Sequence, residues 1–162
     1  MSLSTTSAAL LAGLVLANPA AAAEIAGRAR INDDATLTVE QRQIGLWGIH
    51  IPQGQADCAA YGQPTDCGTA VVQALRHKVD GVARCEDLGQ SDGATRGRCR
   101  VAAAGFARGL DLGAWLLEQG LAVALDEAPV EYHVLERLAR DTGRGLWGMT
   151  GPLRGSVGGG GL

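Results

Sequence analysis

The side chains best equipped for chemistry in this chain are one histidine, a pair of neighbouring aspartates, an alternating run of arginines and four cysteines. His50 carries an imidazole that, with carboxylates beside it, can hold zinc or move a proton. Asp33 and Asp34 are adjacent acids in a polar turn, and Gln53 follows His50 by three residues. A glutamine can orient a water molecule but cannot take its proton. Arg96, Arg98 and Arg100 occupy alternate positions, which on a strand directs three guanidinium groups to one face. Such a face either stabilises an oxyanion or is a solvated basic surface. His77 and His133 fall in helical stretches and read as surface residues.

Cys58, Cys67, Cys85 and Cys99 are separated by nine, eighteen and fourteen positions (58 to 67, 67 to 85, 85 to 99). Zinc knuckles place ligand pairs two to four residues apart, so the spacing points to disulfides. Four cysteines allow three pairings. Local closure favours Cys58–Cys67 and Cys85–Cys99, each tying a loop of roughly ten to fifteen residues worth about 2–3 kcal/mol.

The amino-terminal stretch fits an exported protein. Ala8 to Ala17 is an apolar run of signal-peptide length, followed by Pro19 and the small residues Ala20 to Ala23. The reading is a signal peptide over residues 1–23, cleaved before Glu24, although Met1 to Ser7 lacks the usual Lys or Arg. The run is too short to span a bilayer. A periplasmic or secreted location follows, and disulfides belong there. With 162 residues and 46% hydrophobic content, the remainder suits one domain, expected over residues 24–150. Residues 151–162 are Gly-rich and read as a frayed tail. A net charge of −3 argues against tight, nonspecific DNA binding, which requires phosphates to be neutralised.

The elements needed to position these groups are legible in the patterning. Glu24 to Ile31, Thr36 to Val39 and Ile44 to Ile51 read as strands, separated by turns at Asn32-Asp33-Asp34 and Glu40 to Gln43. Gln53 to Asp66 reads as a loop. Gly68 to His77 reads as a helix with Ala70, Val71, Ala74 and Leu75 as its apolar stripe. Val79 to Glu86 and Arg98 to Ala104 read as strands about a turn at Gly89 to Gly97. Two helices follow. Leu110 to Gln119 carries Leu112, Trp115 and Leu116 on one face and stops at Gly120. Glu131 to Thr142 carries Val134, Leu135 and Leu138. Trp115 and Trp147 fit core positions, and Trp47 lies either in the core or where a barrel stacks ligands.

This order of elements, together with particular residues, resembles the staphylococcal nuclease-like (thermonuclease) family. Ala29 to Val39 resembles its v-x-D-G-D-T-L-x-V hairpin, and Ile44 to Gln53 its I-R-L-x-G-I-D-A-P-E strand. Gln55, Cys58, Cys67-Gly68, Ala70 and Ala74-Leu75 resemble an exported bacterial branch, as do Cys85-Glu86 and Gly97-Arg98-Cys99. Glu118 to Ala122 resembles the family's G-L-A helix end. Tyr132, Glu136, Ala139-Arg140 and Arg144 to Trp147 resemble its closing Y-x-x-x-E-x-x-A-R…G-L-W pattern. The resemblance spans Ile25 to Trp147. It implies an α+β domain: a five-stranded OB-fold β-barrel with three helices, ordered as three strands, one helix, two strands and two helices.

The resemblance also implies chemistry. The family cleaves phosphodiesters with Ca²⁺ held by carboxylates, a carboxylate acting on water, and two arginines offsetting developing charge. In register, Ala35 and His50 occupy metal-binding Asp positions, Gly45 an arginine position and Gln53 the Glu position. Loss of a general base alone costs roughly 10²–10⁴ in rate, and loss of an arginine clamp about 10³–10⁵ in related chemistry. The expectation is therefore a catalytically degenerate relative, a binding or structural module without a cofactor. The alternative is a weak Ca²⁺-dependent nuclease using Asp33 and Asp34 as metal ligands and Asp34, Arg96, Arg98 or Arg100 as catalytic groups. His50, Gln53, Asp33 and Asp34 are expected to line one cleft. The second arginine position aligns with Ala94 from Cys99 and with Arg100 from Gly120. A monomer is expected, with a weakly bound nucleic acid or another anionic or carbohydrate ligand as partner.

Overall fold

A computed structural model describes residues 23–62, 66–91 and 93–148. The signal-peptide and tail readings lie outside these residues, save for Ala23. Alternating burial builds the first strands. β1 (Glu24–Ile31), β2 (Leu37–Val39) and β3 (Arg42–Leu46) form an antiparallel meander with Leu37, Val39 and Ile44 fully buried. Two ten-residue strands, β5 (Val82–Ser91) and β6 (Ala94–Ala103), form a long hairpin that pairs through β5 with β1. Parallel pairing of Ile44 to Leu46 with Thr95 to Gly97 joins β3 to β6. Strands β1, β2, β3, β6 and β5 thus close into a five-stranded, OB-like barrel, which removes their free edges.

Both locally closing disulfides are present. Cys58 and Cys67 have Cα atoms 5.7 Å apart. Cys85 and Cys99 are direct cross-strand partners in the β5–β6 hairpin, with Cα atoms 4.0 Å apart. Among the described residues no helix is long and apolar enough to cross a membrane.

Several elements differ from the sequence expectation. Among the described residues there are four α-helices rather than three. The additional one, α1 (Gly54–Ala60), lies within the expected Gln53–Asp66 loop and buries only Cys58. Asp66 Oδ1 accepts from the N–H groups of Gly54 and Gly68, so one carboxylate serves the first turns of both α1 and α2 (Gly68–Lys78). The buried side chains of α2 are Val71, Val72 and Leu75, and Ala70 is exposed. The expected third strand is broken at Trp47-Gly48. Gly48 adopts φ +74°, and the chain leaves the barrel as β4 (Ile49–His50), which pairs with β8 (Val123–Ala124). The expected turn at Gly89 to Gly97 is mostly strand, with a bulge between Asp87 and Gln90. A further strand, β7 (Phe106–Asp111), continues the sheet from β6.

Helix α3 (Leu112–Glu118) is capped by Asp111, whose Oδ1 accepts from Gly113 and Ala114 N–H. Helix α4 (Val130–Asp141) is turned relative to its apolar pattern. Tyr132, Glu136 and Ala139 are buried, whereas Val134 and Leu138 face solvent. Glu136 is tolerated inside because one oxygen accepts from Ala124 N–H at 2.9 Å and the other pairs with Arg140. Arg140 also lies 4.1 Å from the centre of the Trp147 ring.

Candidate functional site

The break at Gly48, the bulge in β5 and the turn before β2 meet at one open cleft of about 520 Å³. Ala35, Gly45, His50 and Gln53, the four positions that the resemblance aligns with catalytic residues, all line it together with Asp34 and Arg96. Each is delivered by a definite local device. Ala35 sits at φ +59° in the tight Asn32–Thr36 turn, where Ala35 N–H reaches Asn32 O. Gly45 and Arg96 face each other across the β3–β6 closure, with the arginine side chain lying over the glycine. His50 is the last residue of β4, aimed by the β4–β8 pairing.

The polar groups of the cleft are bound to one another. Asp34 Oδ1 accepts from Thr36 N–H at 3.1 Å and from Thr36 Oγ1 at 2.6 Å, and its Oδ2 accepts from Gln43 Nε2 at 2.8 Å. Gln53 Nε2 donates to Asp34 O at 2.6 Å. His50 Nε2 lies 3.0 Å from Asp57 Oδ2, which also accepts from Gln53 N–H. Glu127 and, just past the β5 bulge, Gln90 and Ser91 complete the polar wall.

Other candidates lie elsewhere. Asp33 points away into solvent, pairs with Arg76 at 2.6 Å and is not part of the cleft, so the two aspartates do not converge on one ion. The three arginines are also separated. Arg98 covers the Trp47 ring at 5.4 Å and pairs with Asp111 at 3.7 Å, with its Nε buried and without a hydrogen-bond partner. Arg100 lines a second groove around β7. Ala94 is exposed opposite Ser91. Behind Arg98, burial and the Asp111 carboxylate hold the Tyr132 phenol far above its ordinary pKa, while its hydroxyl donates to Asp111 at 2.8 Å.

Among the described residues no three His, Cys, Asp or Glu side chains gather closely enough to hold a metal ion. Calcium wants six to eight oxygen ligands. This cleft offers the Asp34 carboxylate with both oxygens already engaged, the Glu127 carboxylate, amide groups, an imidazole, and two positions, Ala35 and Gly45, whose side chains have no donor atom. The residues present do not fit Ca²⁺.

No protein-family model matches the chain, and no curated protein matches it. The cleft therefore has to be read from its own groups. Glu127, which lines it, and Asp57 and Gln43, which bind its residues from just outside, were not anticipated from sequence. Gln43 had a signal, since it pairs across β2–β3 with Thr38, whose hydroxyl joins Asn32 in the same polar network. Asp57 and Glu127 approach the cleft only through the turns at Pro52 and Ala128, which no sequence pattern announced.

Proposed function

We propose that the chain is an exported, disulfide-stapled relative of the staphylococcal nuclease-like family, with an OB-fold barrel whose former catalytic cleft serves binding rather than hydrolysis. The supporting observation is the convergence of Ala35, Gly45, His50 and Gln53 on one cleft in which Arg96 is the cation and Asp34, Thr36 and Gln53 are held by hydrogen bonds to one another and to Gln43. A guanidinium beside amides, an imidazole and hydroxyls suits a small, hydroxyl-bearing anion, because arginine presents several donors in a fixed fork to an oxyanion. The two disulfides and the apolar run from Ala8 to Ala17 support a periplasmic or secreted location.

The second reading, a feeble Ca²⁺-dependent phosphodiesterase, draws on the presence of Asp34 and Arg96 in the same cleft. Thermal unfolding in the presence of inorganic phosphate, a uronic acid or Ca²⁺ separates the two. A ligand of the folded state stabilises it by RT ln(1 + [L]/Kd). The anions should raise the melting temperature and Ca²⁺ should not, and Arg96→Gln should abolish the anion response. Ca²⁺-dependent hydrolysis of DNA or RNA that disappears in Asp34→Ala would establish the phosphodiesterase instead.

A further inference from the structure

On the side of the barrel formed by the end of β6 and β7, a second groove of about 670 Å³ carries no chemistry used above. Its floor is small, with Ala102, Ala103, Ala107 and Gly109, and its walls are Arg84, Arg100, Arg108, Val82 and Phe106. Phe106 and Val82 are each 55% exposed and share this one groove. Arg84 and Arg100 are direct cross-strand partners, an arrangement in which like charges repel. Arg28 stands opposite Val82 on β1 and adds a further cation. Glu24 answers Arg84 at 3.2 Å. Among the described residues Arg100 and Arg108 have no ion-pair or hydrogen-bond partner. This concentration of arginine occurs in a chain with net charge −3, and it sits against an unpaired edge, because β7 ends the sheet order and among the described residues no strand pairs with its outer side.

We infer that this groove and the free edge of β7 dock an extended acidic segment of a partner protein. The backbone of such a segment pairs with the open N–H and C=O groups of Phe106 to Asp111, while its carboxylates meet Arg108 and Arg100 and an apolar side chain covers Phe106. A second copy of this chain would bring a second set of the same arginines to the groove, so charge complementarity favours an acidic segment over a second copy. The concave floor suits an inserted chain better than a flat bilayer, and the unpaired backbone edge serves a peptide in a way it cannot serve a nucleic acid.

The test uses the whole chain and a fluorescent octapeptide of alternating Glu and Val, with a Gln-Val octapeptide as the uncharged control. The Glu-Val peptide should bind by anisotropy, bind several-fold more weakly in about 0.5 M salt where screening is short-ranged, and slow amide exchange in Phe106 to Asp111. Arg100→Glu with Arg108→Glu should weaken binding roughly tenfold or more, as two exposed charge pairs are lost and reversed. Arg137→Glu, a charge reversal on the distant exposed face of α4, should leave it unchanged. Equal binding of the Gln-Val peptide, an unchanged affinity in the Arg100/Arg108 double variant, or unaltered exchange in β7 would overturn the inference. So would capture of anionic phosphatidylglycerol vesicles or of oligothymidylate, lost in the same double variant, while the peptide stays inert.

Discussion

Breaking the buried bridge of the β5–β6 hairpin by Cys85→Ala with Cys99→Ala should lower stability by about 4–5 kcal/mol. The cysteines are separated by 14 positions. In the loop-entropy model that closure contributes close to 10 cal/mol/K, or about 3 kcal/mol at 25 °C. Both side chains are fully buried in the barrel core, and each alanine removes one buried heavy atom, adding on the order of 1 kcal/mol per site for lost burial and the space left behind. For a domain of this size each kcal/mol moves the melting temperature by roughly 3–5 °C, so a fall near 15–20 °C is expected. Urea unfolding followed by circular dichroism is the assay, with and without reductant. Under reductant both proteins lose every covalent link, and wild type should then remain the more stable, because it keeps the two buried sulfurs. Opening the other bridge with Cys58→Ala and Cys67→Ala, nine positions apart, should cost about 2.6 kcal/mol in loop entropy. If the Cys85/Cys99 variant unfolds within about 1 kcal/mol of wild type, the denatured chain already holds the hairpin together. The loop-entropy reasoning then fails for this protein.

Three further outcomes follow from single features. Tyr132 has its folded pKa raised above the ordinary 10.0 by burial and by Asp111, so the native state binds more protons than the unfolded chain above that pH. The contribution of Tyr132 should be flat below about pH 10 and fall as pH rises beyond it; Tyr132→Phe should reduce the alkaline slope, leaving the part due to Tyr61, whose phenol pKa is also raised by burial, and cost about 1 kcal/mol for the lost hydrogen bond, both read by urea titration across alkaline pH. Glu40 and Gln41 both hold positive φ, at 47° and 63°, in the β2–β3 turn, a conformation that favours Asn-Gly. Replacing the pair by Asn-Gly should raise the denaturation midpoint, with a gain of about 1 kcal/mol. Gly120 sits at φ +68° with the Arg144 carbonyl where a Cβ would stand. Gly120→Ala should therefore cost more than about 2 kcal/mol and loosen the Gly145–Trp147 turn, measured as faster amide exchange at Leu146.

Alternation made the first two strands readable, because β1 and β2 bury alternate side chains in the barrel core, while β3 buries Ile44, Gly45 and Leu46 in succession where it closes against β6. The helix boundaries were readable from their stops, Gly120 and Gly143. Helix α1 escaped notice because it has almost no apolar stripe. It is held by Asp66, by Asp57 reaching back to Gln53 and by the Cys58–Cys67 bridge, all of which are tertiary facts. The face of α4 was misjudged for the opposite reason. Its pattern offered Val134 and Leu138, but the inward stripe carries a carboxylate that only the Ala124 N–H and Arg140 make affordable inside. The cleft was legible as a set of positions, since Ala35, Gly45, His50 and Gln53 do assemble. Its partner groups were not. Strand alternation predicted one face for Arg96, Arg98 and Arg100, yet the curved barrel surface sends them to the cleft, to Trp47 and to the β7 groove respectively.

In the proposed reading, the pairing of Gly45 with Arg96 makes this a cleft re-formed around a single cation. A Cβ at Gly45 would lie 2.7 Å from Arg96 Nη1 and 3.3 Å from its Cδ. Any side chain at position 45 therefore displaces the guanidinium from where it now rests. The displaced atoms belong to the far end of a flexible side chain, so the structural cost is small. Alanine in a strand gains roughly 0.5–1 kcal/mol over glycine, which offsets the rotamer change, and Gly45→Ala should alter stability by less than about 1 kcal/mol. Its effect should instead fall on the cleft. Moving the one arginine there should weaken binding of phosphate or a uronic acid by roughly tenfold, the scale of a lost charge-assisted hydrogen bond. Arg96→Gln alone should weaken it at least as much, and adding Gly45→Ala to Arg96→Gln should change little more, since the two act through the same guanidinium. Additive losses in that double-mutant cycle would mean that position 45 acts on the ligand independently of Arg96. The idea of a cleft re-formed around a single cation would then have to be given up.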